Sequence, residues 1–236
     1  MLLCSPFFSE RGIFMTELEA IHLELERLRS VNAIQNMIST TSYMFAIGEY
    51  STIFSFFAKR DDVTAEIAKS GRRTGHDAVR ALFVDTWENY ARQSADRLHE
   101  TFPGDDQLEG RNGLLDLRAL ASPIIEVAGD GQSAKGLWLI PGTQTFVPEG
   151  ETLPKAHWVW TKLAVDLVPE DGRWRIWHLW VVPVLAAPCG SSWVGAPADP
   201  VGCDVILSNP YDVHGTYPHP PAPPKPYQTF ADTFSY

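Results

Sequence analysis

A chain of 236 residues with 44% hydrophobic side chains can bury one sizeable core and still have length left for appendages. Its net charge is −10, from 19 Lys and Arg against 29 Asp and Glu, with no basic cluster, so a phosphate backbone is repelled and nucleic acid is excluded as a partner. Cys4, Cys189 and Cys203 are too few and scattered for a disulfide framework or a zinc motif; a Cys189–Cys203 pair is conceivable, but free thiols in a reducing cytoplasm are the favoured reading.

The opening run from Leu2 to Phe8 is apolar but short, lacks a basic lead-in and meets Glu10-Arg11, so it is a poor signal peptide, and Met15 is a candidate natural start. No stretch approaches the roughly 20 apolar residues that span a bilayer, and a soluble, cytoplasmic protein without membrane contact is expected. From Glu17 to about Ile47, Leu18, Ile21, Leu25, Leu28, Val31, Ile38 and Phe45 recur at helical spacing, and Gly48 ends this long amphipathic helix. A short helix is expected from Tyr50 to Ala58, then a strand from Val63 to Ile67, closed by Arg72-Arg73-Thr74-Gly75. Thr74 and Asp77 read as a capping box opening a helix that buries Ala78, Val79, Leu82, Phe83, Trp87 and Tyr90. The polar stretch from Ala95 to Gly113 reads as a long loop of the kind that forms lids.

Beyond it the period changes to that of strands. Leu115–Val127, Ser133–Phe146, Ala156–Val168 and Trp174–Val184 form an expected antiparallel meander, broken by Gly129-Asp130-Gly131, by residues 147–154 and by Glu170-Asp171-Gly172. After Ala186 the chain is proline-rich and ends in Tyr227, Phe230, Phe234 and Tyr236, which suits an extended arm that docks on something, a neighbouring subunit included. The expected organisation is an N-terminal extension (1–16), one α+β domain (17–185) and a Pro-rich arm (186–236). In that domain a curved, mostly antiparallel sheet wraps around the long helix and leaves a pocket at its open end.

The runs Tyr43 to Tyr50, Ile53 to Ala58, Asp61-Asp62-Val63 and Gly75-His76-Asp77-Ala78-Val79 resemble the opening half of SnoaL-like proteins of the nuclear-transport-factor-2-like superfamily. Ser122 to Val127 before Gly129-Asp130-Gly131, and Glu170 to Ile176, are similar to its later half. The resemblance covers roughly Glu17 to Val184 and implies a cone-shaped barrel hosting dehydratases, cyclases, isomerases and lyases as well as binding domains, so the side chains must choose the reaction.

If Trp174 and Ile176 point into the cone, as the resemblance implies, strand alternation brings His178 and Trp180 in as well. By the same counting Arg118, Leu120 and Ser122 face inward, with Arg118 standing where SnoaL-like dehydratases often carry a histidine. Should Arg118 instead pair with Glu126 or Asp116 on the outer surface, a binding role gains. Asn32, Asn36, Ser39 and Tyr43 share one helix face, and the resemblance places Tyr43 near the pocket end, where such dehydratases use a tyrosine on a substrate oxygen; Glu49 is the nearest carboxylate. His157 is out of phase with Trp158 and Trp160, so only one set faces the pocket. His99 is a candidate lid histidine, with an exposed loop residue as the favoured reading, His76 belongs to a helix start, and His214 with His219 is a weak metal pair, so no metal is expected.

Six of the eight tryptophans lie between Trp138 and Trp180, which suits either a packed core or a pocket for an aromatic or polycyclic small molecule lined by Trp138, Trp180, Leu120, His157 and His99. Without a phosphate loop, dinucleotide fingerprint or nucleophile elbow, the expectation is cofactor-free acid–base catalysis. His178 would be the base, Tyr43 the hydrogen-bond donor or acid, and Arg118 the stabiliser of negative charge. The resemblance implies a lyase, either a dehydratase-like elimination or a retro-aldol-like release of formaldehyde from a lignin-derived diaryl compound, as in aromatic compound catabolism. The alternatives are an isomerase or cyclase of the ketosteroid-isomerase kind and a non-catalytic binding or assembly domain. An outer sheet face rich in Trp, Leu and Val leads to the expectation of a homodimer or higher homo-oligomer.

Overall fold

The computed structural model describes residues 16–67, 71–101, 115–146, 151, 153–192, 194 and 221–236. Helix α1 (Glu17–Ile47) starts in a capping box, with the Thr16 hydroxyl accepting from the Glu19 N–H and the Glu19 carboxylate accepting from the Thr16 N–H. It stops at Gly48, whose left-handed φ of 74° lets its N–H turn back on the last carbonyls. Ile34, Ile38 and Thr41 form its buried side. Helix α2 (Tyr50–Phe54) is shorter than expected, because Phe57 leaves the helix to bridge Ile176 of the sheet.

Strands β1 (Thr64–Ile67) and β2 (Gly71–Thr74) form a hairpin, so the Arg72 to Thr74 segment, expected as a closing turn, is a strand. Thr74 is consumed by that strand, and the next helix is capped by Gly75 at φ 92° without a side-chain bond; the expected capping box does not form. Helix α3 (His76–Arg80), a π-helical stretch (Ala81–Glu88) and α4 (Asn89–Thr101) run on without a break. Val79, Leu82, Phe83 and Trp87 are its buried stripe, as the spacing indicates. The expected lid is helical from Ala95 to Thr101, and its remainder lies outside the described residues.

The strand expected from Leu115 to Val127 is two strands, β3 (Asp116–Arg118) and β4 (Ala121–Val127), which both pair with β5 (Ala134–Phe146). A register shift between Ala121 and Ile124, with Ser122 at φ 51°, takes Ser122 out of the inward set. Strands β6 (Lys155–Glu170) and β7 (Arg173–Pro188) complete the meander, β7 running past the expected end of the domain. The sheet order is β2-β1-β7-β6-β5-β3, with β4 on β5 as well; among the described strand pairs only β1–β7 is parallel, as is the single Phe57–Ile176 bridge. The result is the α+β cone, except that the curved sheet does not close into a barrel.

Two β-bulges on β7 decide which side chains enter the cone. Leu167 pairs with Ile176 while Asp166 pairs with His178, so Trp177 is an extra residue. Trp160 pairs with Leu185 while Thr161 pairs with Pro183, so Val184 is another. Each inserted residue reverses the inward and outward phase of the strand beyond it.

The C-terminal segment from Pro221 docks on the convex side of the sheet. The Gly129 and Asp130 N–H groups donate to the Tyr227 and Gln228 carbonyls, at 2.9 and 3.0 Å, and the Tyr227 hydroxyl lies 3.1 Å from that of Ser133. A Cβ on Gly129 would sit 2.1 Å from the Gln228 amide oxygen, so the end of that flexible side chain would have to swing aside.

Candidate functional site

Between α1, the π-helical stretch and the concave face of the sheet lies a cavity of about 480 Å³, within the range of small-molecule sites. Its apolar wall comes from Ile38 and Phe45 of α1, Ile53 of α2, Phe83 and Trp87 of the π-helical stretch, and Ile140, Val159, Leu163, Ile176, Leu179 and Val181 of the sheet. Phe45, Tyr50 and Trp87 pack edge-on and tilted with ring centroids 5.4 to 5.8 Å apart. The wider turn of a π-helix, a form often found at functional sites, carries Trp87 and Glu88 into this wall. The Glu88 carboxylate accepts from the Ser51 N–H at 2.9 Å and so ties the π-helical stretch to the start of α2.

One wall is polar. Asp116 and Arg118, two residues apart on β3, share its inward face with Gln144 of β5. The Arg118 guanidinium donates from Nε to Asp116 Oδ1 and from Nη2 to Gln144 Oε1 at 3.1 Å. Arg118 and Asp116 retain 18% and 20% side-chain exposure, so the pair is shielded by protein yet open to the cavity. Backbone packing fixes its place: a Cβ on Gly142 would meet the Leu117 carbonyl at 2.4 Å, and only glycine lets β3 lie so close to β5. Ser42 of α1 donates to the Arg118 carbonyl, joining the long helix to the same strand. Tyr50, Tyr90, Glu49 and Arg92 line other parts of the cavity. Ser94 and Thr161, also in its lining, carry buried hydroxyls with no hydrogen-bond partner among the described residues.

Of the residues singled out in the sequence, Arg118 and Leu120 line the cavity. His178 does not. The bulge at Trp177 turns it to the convex face, where it is 7% exposed and its Nδ1 lies 2.8 Å from Asp166 Oδ2. Leu179 and Val181 occupy the inward positions that plain alternation from Ile176 gives to His178 and Trp180. Trp180 is accordingly outside the lining set. Tyr43 is 72% exposed and lies away from the cavity, on the outward side of α1 shared with Asn32 and Asn36. Trp138 is fully buried and packed against α1, its indole N–H donating to Gln35 at 3.3 Å, a core residue rather than a pocket wall.

On β6 the odd-numbered residues face inward, so His157 lies on the concave side with Val159, and Trp158 and Trp160 point outward. His157 is 3% exposed and paired across the strands with Gln144, but it is not part of the lining; burial pushes its imidazole below the ordinary value. His99 is exposed in the last turn of α4 and does not line the cavity. His76 packs its ring tilted against Phe54, with centroids 4.6 Å apart, at the start of α3, and His214 and His219 lie outside the described residues. Cys189 is a free, exposed thiol; Cys4 and Cys203 lie outside the described residues. Among the described residues no three His, Cys, Asp or Glu side chains gather to hold a metal ion, and no helix is long and apolar enough to cross a membrane.

On the convex face Lys135, Asp166 and His178 are direct cross-strand neighbours. Asp166, fully buried, accepts from Lys135 Nζ at 2.6 Å on one oxygen, and from the Ser235 hydroxyl at 2.8 Å and the Tyr236 N–H at 3.1 Å on the other. Phe230 and Tyr236 place their rings 4.9 and 4.5 Å from the Lys135 ammonium. Ser235 and His178 do not form a nucleophile and base, because the serine and Asp166 both approach the same ring nitrogen.

The sequence pattern of the SnoaL-like domain family matches residues 26–179. The chain belongs to the SnoaL-like family. Among solved structures it is similar to LinA (14% identity over 74% of this chain and 99% of that one, TM-score 0.53). It is also similar to the hexachlorocyclohexane dehydrochlorinase LinA-type3 from Novosphingobium barchaimii LL02 (16% identity over 72% and 96%, TM-score 0.51). At such identities the likeness is one of fold. No curated protein matches the sequence. In this SnoaL-like chain, reasoning from sequence missed Asp116, Gln144, Tyr50, Tyr90 and Trp87 as cavity residues. Asp116 was within reach, since the alternation that turns Arg118 inward also turns Asp116 inward.

Proposed function

We propose that this SnoaL-like chain is a cofactor-independent lyase or isomerase working by general acid–base chemistry on an aromatic or polycyclic small molecule. The observation that supports this reading most is the Asp116–Arg118–Gln144 set on one wall of an otherwise largely apolar, aromatic-walled cavity. A charged pair turned into such a cavity carries a desolvation cost that a packing role does not require. In an elimination the Asp116 carboxylate takes the proton from the carbon beside the departing group. Arg118 offsets the negative charge that develops on the substrate, and Gln144 holds the guanidinium in place. The phenol of Tyr50 or Tyr90 gives the departing oxygen its proton. Arg118, expected as the stabiliser, keeps that role; the role of base passes from His178 to Asp116, and that of acid from Tyr43 to a cavity tyrosine.

Elimination of water and retro-aldol-like release of formaldehyde from a lignin-derived diaryl compound both suit this set, since each needs one base and one acid: in the first the base takes a C–H proton, and in the second it takes the hydroxymethyl O–H proton, the C–C bond to that carbon breaks to free formaldehyde, and its electrons form the C=C bond as the neighbouring hydroxyl leaves as water. The contrasting reading is a domain that binds a small hydrophobe without changing it. It is disfavoured by the position of the Arg118–Asp116 pair, which faces the cavity and not the outer surface. The test is a screen of aromatic diols and diaryl alcohols for loss of water or formaldehyde, with Asp116→Asn as control. Turnover abolished by that substitution supports catalysis. Saturable binding without turnover, equal in the variant, would establish the binding domain.

A further inference from the structure

Among the described residues, the first three turns of α1 are mostly exposed. From Glu17 to Arg29 only Ala20 and Arg27 are half-buried, and Arg27 bonds to the sheet, at the Val127 carbonyl (3.4 Å) and Glu126 (4.0 Å). On the other side Leu18, Ile21, Leu25 and Leu28 are 76, 60, 43 and 66% exposed. Their spacing of three, four and three residues is that of the a and d positions of two heptads. At about 100° per residue this stripe lies roughly 150° around the helix from the buried Ile34, Ile38 and Thr41, so the described residues of the domain do not obstruct it. Thirteen residues are too few to hold a helix in water by themselves, and a bare leucine seam adds nothing to stability until something covers it.

The flanking charges indicate what covers it. With Leu18 and Leu25 at a, the g positions are Glu17 and Glu24, and the e positions are His22 and Arg29. In a parallel pair each g residue faces the e residue five places further along the other helix, which sets Glu24 against Arg29 and Glu17 against His22. In an antiparallel pair g faces g and e faces e, and like charges meet. The next a position is Asn32, also exposed, and an asparagine at a is a device that fixes register in parallel two-stranded pairs.

We propose that this seam is a self-association surface on which a second copy of the chain packs its own α1, parallel and in register. The contact is short, so the dimer dissociates in the micromolar range, on the order of interfaces below ~1,200 Å². It is distinct from the convex sheet face with Trp158 and Trp160, where the apolar pattern of the sequence places self-contact.

The test is sedimentation equilibrium of the full chain from about 1 to 100 μM, the range in which such a contact titrates. Leu25→Glu, Glu24→Arg and Arg29→Glu are compared with it, their folding checked by circular dichroism. Oxidative trapping of Leu18→Cys in a background where Cys4, Cys189 and Cys203 are serine reports orientation. We expect a concentration-dependent dimer that each of the three substitutions weakens at least ~10-fold, about 1.4 kcal/mol or more. Mixing Glu24→Arg with Arg29→Glu chains should restore it, and Leu18→Cys should link to itself. A monomer throughout, a dimer indifferent to both Leu25→Glu and the charge reversals, or linkage only between Leu18→Cys and Leu28→Cys chains would each overturn the proposal.

Discussion

Asp166→Asn keeps the shape of the side chain and removes its charge. In the native protein its two oxygens collect the Lys135 ammonium at 2.6 Å, the His178 imidazole at 2.8 Å, the Ser235 hydroxyl at 2.8 Å and the Tyr236 N–H at 3.1 Å. Lys135 is only 4% exposed, and the substitution strands its ammonium in a site with no other counter-charge among the described residues. Breaking a buried ion pair by removing one partner costs about 3–5 kcal/mol. The asparagine amide also meets at least one donor it cannot accept from. For a chain of this size about 2–4 °C accompanies each kcal/mol, so the midpoint of thermal unfolding by circular dichroism should fall by roughly 6–20 °C. Turnover at a temperature where the variant is folded should be unchanged, because the cluster sits on the convex face. A midpoint shift below about 3 °C would refute the claim that the pair is buried and uncompensated, and lost turnover with an intact midpoint would refute its separation from the cavity.

Removing residues 221–236 strips Tyr227, Phe230 and Tyr236 from the convex face and should cost about 2–4 kcal/mol while leaving one cooperative unfolding transition, measured by calorimetry. Gly142→Ala forces the Leu117 carbonyl to retreat by about 1 Å, which should cost about 1–3 kcal/mol and displace Arg118 and Asp116 enough to lower kcat roughly 100-fold, read from kinetics beside a melting curve. His157 is held neutral by burial below its ordinary value of 6.5. The unfolded chain therefore takes up this proton first, and stability should decline as pH falls below 6.5 toward the lower folded value. His157→Gln should flatten that part of the curve of melting temperature against pH, and an unchanged slope would show that His157 titrates normally.

The helices and the meander are legible in the sequence because their signals are local. The α1 stripe ends at a glycine that must adopt positive φ, and the breaks between β4, β5, β6 and β7 each carry Gly, Pro or Asp, whereas the Ala119-Leu120 break between β3 and β4 carries none. Phase is what the sequence hides. Alternation carries a side chain's direction along a strand only while pairing stays regular, and an inserted residue is invisible in the β7 sequence, where Trp177 looks like any strand aromatic. A single bulge thereby moves His178 from one face of the sheet to the other. Counting places Arg118 on the cavity side because no irregularity lies within β3, whereas it misplaces Ser122, beyond the break. Tyr43 misleads because its position comes from resemblance, while the helix wheel sets it with the exposed Asn32 and Asn36. Gln144 depends on cross-strand register, which only the assembled sheet defines.

The most direct measurement is turnover of Asp116→Asn beside His178→Gln, on a diol or diaryl alcohol that the native chain converts. The account predicts that Asp116→Asn loses at least ~100-fold in kcat with KM changed far less, since a proton-transfer group acts in the transition state. His178→Gln should keep its turnover and lose thermal stability. Nearly full activity in Asp116→Asn, with activity abolished in a stably folded His178→Gln, would contradict the account and move the chemistry to the convex face.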